Sequence, residues 1–404
     1  MDNRSQNKYD IKKAFQISFI CIFTYFINYY VRKLLPVLST DMIGSGKFDE
    51  TLYALLSSTY MITYAIGQLI NGITGDYIKP KYMVSTGLAL SSVGLFMFSY
   101  VDSAVVDVIG FGIIGFGLSM MRGPLVKVIS ENTKQKYARL ACTFLSFVSF
   151  AGPLLVGLFA SFMDWESVFV FSAFLTLAMA MFSFVTLTVF EKKGMIVPIK
   201  KVSNGENVER ASIWSVFKLD NFVIYIFIEI IVDTMAISLD QWLTIFFSDH
   251  LALSVETSKG IFYAISILRA LCPFLSLLIF KVVGGRDLFL IRIAYFTAAL
   301  LFAAMFFISD AWVCIVLLSL ALMCSSVASA TIWSIYIPGL GKSGRVSSVN
   351  GILDSFGYAG ASVMNLVFAF VWSGIGGNGL ILTWAGFAAV GAMMTLFGKK
   401  RIQQ

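Results

Sequence analysis

Charge is scarce in this sequence: Asp, Glu, Lys and Arg together make up 13% of it. Soluble domains carry roughly 25%, so a water-facing globular surface is excluded. Histidine occurs once, at His250 in a short polar loop beside Asp249, where a surface residue is expected rather than a catalytic one. The five cysteines, Cys21, Cys142, Cys272, Cys314 and Cys324, lie in apolar stretches without metal-ligand spacing. They read as small core residues, and no metal site is expected. There is no nucleophile–base set and no phosphate-binding glycine loop, which excludes an enzyme and an ATP-driven pump and calls for no cofactor. The net charge of +7 is distributed over loops between apolar runs. That pattern fits a membrane surface and not nucleic acid.

What fills the sequence instead is hydrocarbon. Apolar residues make up 58% of the 404 positions, 38 of them Phe, and the mean hydropathy is +0.83. Runs of roughly 20 apolar residues satisfy their own backbone amides and can cross lipid. Twelve are expected, centred near Phe23, Met61, Ser92, Gly115, Ala151, Met179, Ile230, Leu268, Leu300, Leu322, Ser355 and Phe387. The run after Lys12 and Lys13 is too long for a signal-peptide core and lacks a small-residue cleavage site, so it is expected to remain as the first span. The fold class is therefore all-α integral membrane, with two six-helix bundles. Residues 1–190 form the N-terminal bundle, 191–213 a polar linker, and 214–404 the C-terminal bundle.

Loop charge sets orientation. Loops after odd-numbered spans are neutral or acidic, as at Asp102, Asp107, Asp164 and Glu166; loops after even-numbered spans carry Lys79 and Lys81, Lys134 and Arg139, Lys192 and Lys193, Lys281 and Arg286, and Lys342 and Arg345. Both termini are basic and are expected in the cytoplasm, with the chain multi-pass in the plasma membrane. The exception is Arg32 and Lys33, at the opposite end of the first span. Two readings stand for them: headgroup anchors, or cations kept for a ligand. Tyr25, Asn28, Tyr29 and Arg32 follow i, i+3, i+4, i+7 spacing and share one helix face. A charge in lipid costs roughly 2.5–3.5 kcal/mol on insertion scales, so that face is expected to look into protein or a wet cavity.

A short repeat supports duplication of a six-helix unit. Arg139 and Arg345 each precede a Ser-Phe pair, Ser149-Phe150 and Ser355-Phe356, at the same distance, with Gly152 and Gly357 just beyond, in the fifth and eleventh spans. The stretch Gly72-Ile-Thr-Gly75-Asp76-Tyr-Ile-Lys79-Pro80-Lys81 resembles the loop signature of the major facilitator superfamily. With Tyr29-Tyr30-Val31-Arg32-Lys33 and Phe356-Gly357-Tyr358-Ala359-Gly360, it resembles the organophosphate–phosphate antiporter family within it. The resemblance implies a conformational latch at Gly72, Asp76, Lys79 and Lys81; the plainer reading is an ordinary basic loop. It also implies a phosphate clamp between arginines of the first and seventh helices. Arg32 matches the first. The seventh span has no cation and carries Glu229, Asp233 and Asp240, and Gln68 stands where the family's second helix has a lysine.

The remaining polar residues inside spans complete the expected site. Glu229, Asp233 and Asp240 share a face, followed by Trp242. Asp233, Asp240 and Asp354 are expected in ion pairs or in proton coupling, with Glu229 in a static role. Arg122 is expected at the cavity, Lys127 snorkelling to the membrane surface, and Arg269, mid-span in the eighth helix, in a functional ion pair. Asn350 lies in a polar stripe of the eleventh span, with Ser347, Asp354, Tyr358 and Asn365. The substrate-binding set is thus Arg32, Lys33, Tyr29, Asn28, Arg122, Arg269, Trp242 and Asn350. The function expected is secondary transport of a small organic anion (a phosphate ester, carboxylate or sugar acid) by a monomer in contact with lipid, through proton symport or exchange against phosphate. A transporter-like sensor that binds ligand without moving it is the alternative; a channel is a third.

Overall fold

The computed structural model describes residues 3–46, 48–197 and 213–399. The described residues form two compact units. The first comprises Met1–Ile213 with Ile337–Ile352; the second comprises Trp214–Tyr336 with Leu353–Gln404. Residues 198–212, most of the expected linker, lie outside the described residues.

The first unit contains α1 (Asn3–Gly44), α2 (Glu50–Thr74), α3 (Pro80–Tyr100), α4 (Ala104–Ser119), α5 (Arg122–Asn132), α6 (Gln135–Ala160) and α7 (Trp165–Lys192). The second contains α8 (Phe222–Ile245), α9 (Val255–Val282), α10 (Asp287–Met305), α11 (Ala311–Thr331) and α13 (Gly377–Met394). α12 (Val346–Ile375) starts in the first unit and continues in the second. α4 and α5 together make one crossing, Ala104–Asn132, so among the described residues the helices give twelve crossings. Nine of them are long and apolar enough to span a membrane; the other three are α2, α6 and α12. The protein is an all-α, multi-pass membrane protein.

Part of the Phe content faces outward, and part fills the core. Phe15, Phe19 and Phe23 recur every fourth residue of α1, are exposed, and stack with ring centroids 6.2 Å apart. In lipid, such rings need no partner inside the protein. Within the first unit α3 packs on α4 and α7, α2 on α4, and α1 on α6; within the second, α10 packs on α11 and α13, and α9 on α11.

Two local features of the helices matter for the site. α1 does not stop at Pro36 but carries it inside the helix and continues to Gly44. Proline removes one N–H, and the other backbone bonds carry the helix past it. The fourth span is not continuous: it breaks at Met120–Met121, between α4 and α5. A break inside a span leaves C-terminal carbonyls of the first piece without intrahelical donors, and these must be satisfied by protein. Asn28 on α1 does so, donating from Nδ2 to the Leu118 carbonyl at 2.9 Å.

Asn28→Leu keeps the volume and removes that donor. We expect it to lower unfolding stability by roughly 1–3 kcal/mol in detergent or SDS titrations, with Asn28→Gln between the two. Equal stability of Asn28→Leu and wild type would show that the break does not depend on this bond.

Candidate functional site

Along the first unit, charged and polar side chains line up at three levels. At the first, Arg32 is half-buried on α1. Its Nη1 donates to the Tyr64 hydroxyl at 3.3 Å, and its guanidinium carbon lies 4.6 Å from the centre of the Tyr64 ring and 5.3 Å from that of Tyr29. Aromatic faces hold a guanidinium plane while leaving edge N–H groups for an anion. Tyr25 packs edge-on against Tyr29 at 5.1 Å, which fixes the cage from one turn below. Lys33 and Arg32 both border a recess of about 160 Å³ lined by Tyr60, Met61, Leu95 and Phe111.

The second level is the helix break. Asn28, named as a substrate contact in the sequence reading, spends its amide donor on Leu118. Asn71 on α2 donates to Ser119 Oγ at 2.7 Å, so both sides of the break's end are held by amides. Arg122 opens α5 at this point, 6.0 Å from the centre of the Tyr25 ring. Gln68, one turn from Asn71 on α2, is buried with its Nε2 without a hydrogen-bond partner among the described residues. Asn350, wholly buried on α12, has both amide atoms in the same condition.

The third level is built on Asp76, in the loop between α2 and α3. The side chain is 1% exposed. It accepts from the backbone N–H of Ser347 (3.1 Å) and Ser348 (3.0 Å) and from Ser348 Oγ (2.5 Å). These are the first orphan donors of α12, so Asp76 caps a helix that starts 270 residues later in the chain. Lys127 on α5 approaches the same carboxylate at 3.5 Å and donates to the carbonyls of Gly75 (3.2 Å) and Asp76 (2.9 Å). Burial pushes the Asp76 carboxyl above the ordinary range, and Lys127 and the two serines pull against it.

The expectation that Lys127 snorkels is therefore corrected: it is 2% exposed. A buried carboxylate and two unpaired loop carbonyls offer its three N–H donors more than headgroup water does. Gly72 makes the arrangement possible. A Cβ there would stand 2.5 Å from the Gly351 Cα, so α2 and the first turns of α12 touch backbone to backbone. Arg345, just before α12, donates to the Tyr77 hydroxyl at 2.7 Å. Lys79 and Lys81 serve a different partner, Glu191 at the end of α7, at 2.5 and 2.8 Å.

In the second unit, Arg269 on α9 is half-buried and donates from Nε to Ser326 Oγ on α11 at 3.2 Å. Glu229 on α8 is wholly buried, Asp354 on α12 nearly so, and Asp233 and Trp242 are half-buried. Gly357 leaves room for Asp233: a Cβ there would lie 2.8 Å from its Cγ. The side chain of Asp240 lies outside the described residues. Sequence reasoning missed Tyr64 and Lys127 as site members. Tyr60 and Tyr64, four residues apart on the second span, were the available sign of an aromatic face.

Comparison with known proteins bears on this geometry. The family model described as the Major Facilitator Superfamily matches residues 19–364. The probable hexose phosphate transport protein of Chlamydia muridarum is 27% identical over 101 residues, 25% of this chain and 22% of that protein; the match spans about a fifth of the relative's length. Among solved structures, the transporter FucP in the outward conformation superposes with a TM-score of 0.74 at 13% identity, covering 95% of this chain and 99% of that one. The human organic anion transporter MFSD10 (TETRAN) gives 0.69 at 13% identity, covering 95% and 99%. These two likenesses show the fold.

The Asp76 cluster yields a quantitative expectation. Lys127→Ala leaves a buried carboxylate with its cation removed, which costs about 3–5 kcal/mol. Asp76→Ala should also destabilise, and Asp76→Ala with Lys127→Ala should cost clearly less than the sum. The check is a double-mutant cycle on unfolding in detergent; strict additivity would show that the two side chains do not act together.

Proposed function

Because the chain belongs to the Major Facilitator Superfamily, we propose that it is a secondary transporter of a small organic anion, working by alternating access in the cell membrane with both termini in the cytoplasm. The observation that carries the anion is Arg32: a guanidinium inside a spanning helix, held by the faces of Tyr29 and Tyr64. A planar fork of N–H donors suits the paired oxygens of a phosphate ester, carboxylate or sugar acid. Arg122, one level deeper beside Tyr25, supplies the second cation, and Lys33, Asn350, Arg269 and Trp242 complete the proposed set. The names of its relatives support the reading: hexose phosphate transport for the Chlamydia protein and organic anion transport for the human structural neighbour.

In this reading Gly72, Asp76, Lys79 and Lys81 form the latch of one conformational state. Asp76 holds the start of α12 while the basic loop is tied to α7 through Glu191. Opening that end breaks the capping bonds and exposes the carboxylate to water, which repays part of the lost interaction by hydration. Coupling runs through a proton or through exchange against phosphate, and Asp233, Asp240 and Asp354 are the proposed coupling acids. The working unit is a monomer with no cofactor.

The test is a thermal-shift screen of purified protein against glucose 6-phosphate, glycerol 3-phosphate, gluconate and small dicarboxylates, repeated on Arg32→Ala. A hit should stabilise the wild type, by about 2.7 kcal/mol at a hundredfold excess over Kd, and should have little effect on the variant. The same compound should accumulate in proteoliposomes in a saturable manner. A hit confined to amines or neutral compounds, indifferent to Arg32→Ala, would overturn the reading.

A further inference from the structure

The chain's single histidine sits where two ends of the second unit meet. His250 closes the π-helical turn Phe246–His250, which follows the end of α8. The residue is exposed, but one side of its ring is covered. It lies against the ring of Phe246, which is wholly buried, with centroids 4.9 Å apart. It also lies on the first residue of α13. A Cβ added at Gly377 would stand 2.8 Å from the His250 Cβ, and closer still to its Cγ and Nδ1. Only a residue without a side chain fits beneath the imidazole. The Phe246 ring reaches inward to Trp384 on α13, at 5.7 Å, and the Trp384 indole donates to Ser238 Oγ on α8 at 3.0 Å. The histidine is thus the solvent end of a chain of rings that joins α8 to α13.

Electrostatics make this contact depend on the charge of the ring. Gly376 precedes α13 and offers no capping side chain, so the first N–H groups of α13 present the positive end of its dipole. A neutral imidazole tolerates that neighbour; an imidazolium is repelled by it. Burial already holds His250 below the usual histidine range. The elements packed against the turn are α8, α9 and α13. Asp249, in the turn itself, is exposed and accepts from Ser248 Oγ at 2.6 Å. α9 brings Glu256, exposed in its first turn, and α13 brings no titratable group. The side chains of Asp240 on α8 and Lys259 on α9 lie outside the described residues. Asp249 and Glu256 stand in water, where salt screens them.

We propose that His250 is an acid-released clasp: as neutral imidazole it holds the end of α8 against the start of α13, and as imidazolium it lets go. A proton from the surrounding solution adds to the ring, the charge is driven away from the α13 N-terminus into water, and the two helix ends part more easily. In the orientation proposed above this is the outer end of the second unit, so outside acidity would loosen it. The device needs no anion and is independent of which substrate the protein carries.

The sole histidine gives one NMR signal in full-length protein labelled at histidine Cε1 and purified without a histidine tag. Its midpoint in wild type should lie below the ordinary value of about 6.5. Gly377→Ala, which puts a methyl where the ring lies, should return it to about 6.5. Hydrogen exchange in the first turn of α13, corrected for the intrinsic effect of pH, should rise between pH 7.5 and 5.5, by up to about tenfold for each unit by which the midpoint is depressed. His250→Phe keeps a ring without a charge and should abolish that rise. The sign for stability follows from a folded value below the unfolded one: wild type should lose stability relative to His250→Phe as pH falls below about 6.5. A wild-type midpoint at or above 6.5, an unmoved midpoint in Gly377→Ala, or an acid-induced rise in exchange that persists in His250→Phe would overturn the proposal. If Gly377→Ala does not fold, the wild-type titration and His250→Phe decide it. No anion is added, so these results stand or fall apart from the anion screen.

Discussion

A carboxylate taken almost wholly out of water sets the terms for one end of the first unit. Asp76 has given up hydration that is worth several kcal/mol for a buried ion. In return it has two backbone N–H groups and a hydroxyl at the start of α12, and the ammonium of Lys127. The partners come from two segments, so the side chain ties the α2–α3 loop to α5 and to α12 at once. The N-terminus of a helix already carries partial positive charge, and Lys127 adds a full one. Neither alone would balance the desolvation, and the lysine also needs the loop carbonyls it reaches. The close passage of Gly72 and Gly351 follows from this: the capping bonds form only if the two backbones approach to where any side chain would stand.

The break in the fourth span has the same logic in neutral form. Irregular backbone is tolerated at membrane depth where protein groups replace the missing bonds; Asn28 supplies one to the Leu118 carbonyl, while Asn71, from a second helix, holds the Ser119 hydroxyl beside it. The gain is position. Arg122 sits at the first residue of α5, next to Tyr25, where an unbroken helix would have carried it on in a rigid register. Asn28 therefore does structural work where sequence reasoning had assigned it to a ligand. Gln68 and Asn350, whose amide atoms lack partners among the described residues, are the amides there that remain to be satisfied.

Much of this was legible without coordinates. The period and length of the apolar runs gave the spans, since backbone satisfaction in lipid leaves no other choice, and the loop residues around Asp76 gave the family resemblance. What the sequence concealed were partnerships between segments far apart in the chain. Lys127 looked like a lysine near a membrane surface because its spacing from the span's end said so; that it turns toward Asp76 depends on a loop more than fifty residues earlier. The continuation of α1 through Pro36 ran against the rule that proline ends a helix. The interruption of the fourth span at Met120–Met121 followed it: Pro124 lies four residues after Met120, and its ring and missing N–H disfavour an unbroken helix there. The break therefore had a local sign in the sequence, and the unbroken passage through Pro36 had none.

The two units treat their charges differently, and the difference follows from the shapes of the ions. The guanidinium of Arg32 is flat, with weakly hydrated faces, so tyrosine rings can lie along it and leave its edge for hydrogen bonding. A carboxylate has no such faces; it needs donors and room. In the second unit the room is made by omission, at Gly357 beside Asp233 and at Gly391 beside Tyr295. The glycines of the Phe356-Gly357-Tyr358-Ala359-Gly360 stretch thus serve α8 rather than the flexibility of α12. Gly357 clears the carboxyl and Gly360 clears Ile230 one turn before it, so the pair sets how closely α12 lies against the acidic face. A helix that gives up two side chains on one stripe loses apolar contact there; the structure recovers that loss only if what fills the space is a group that packing alone could not hold in place.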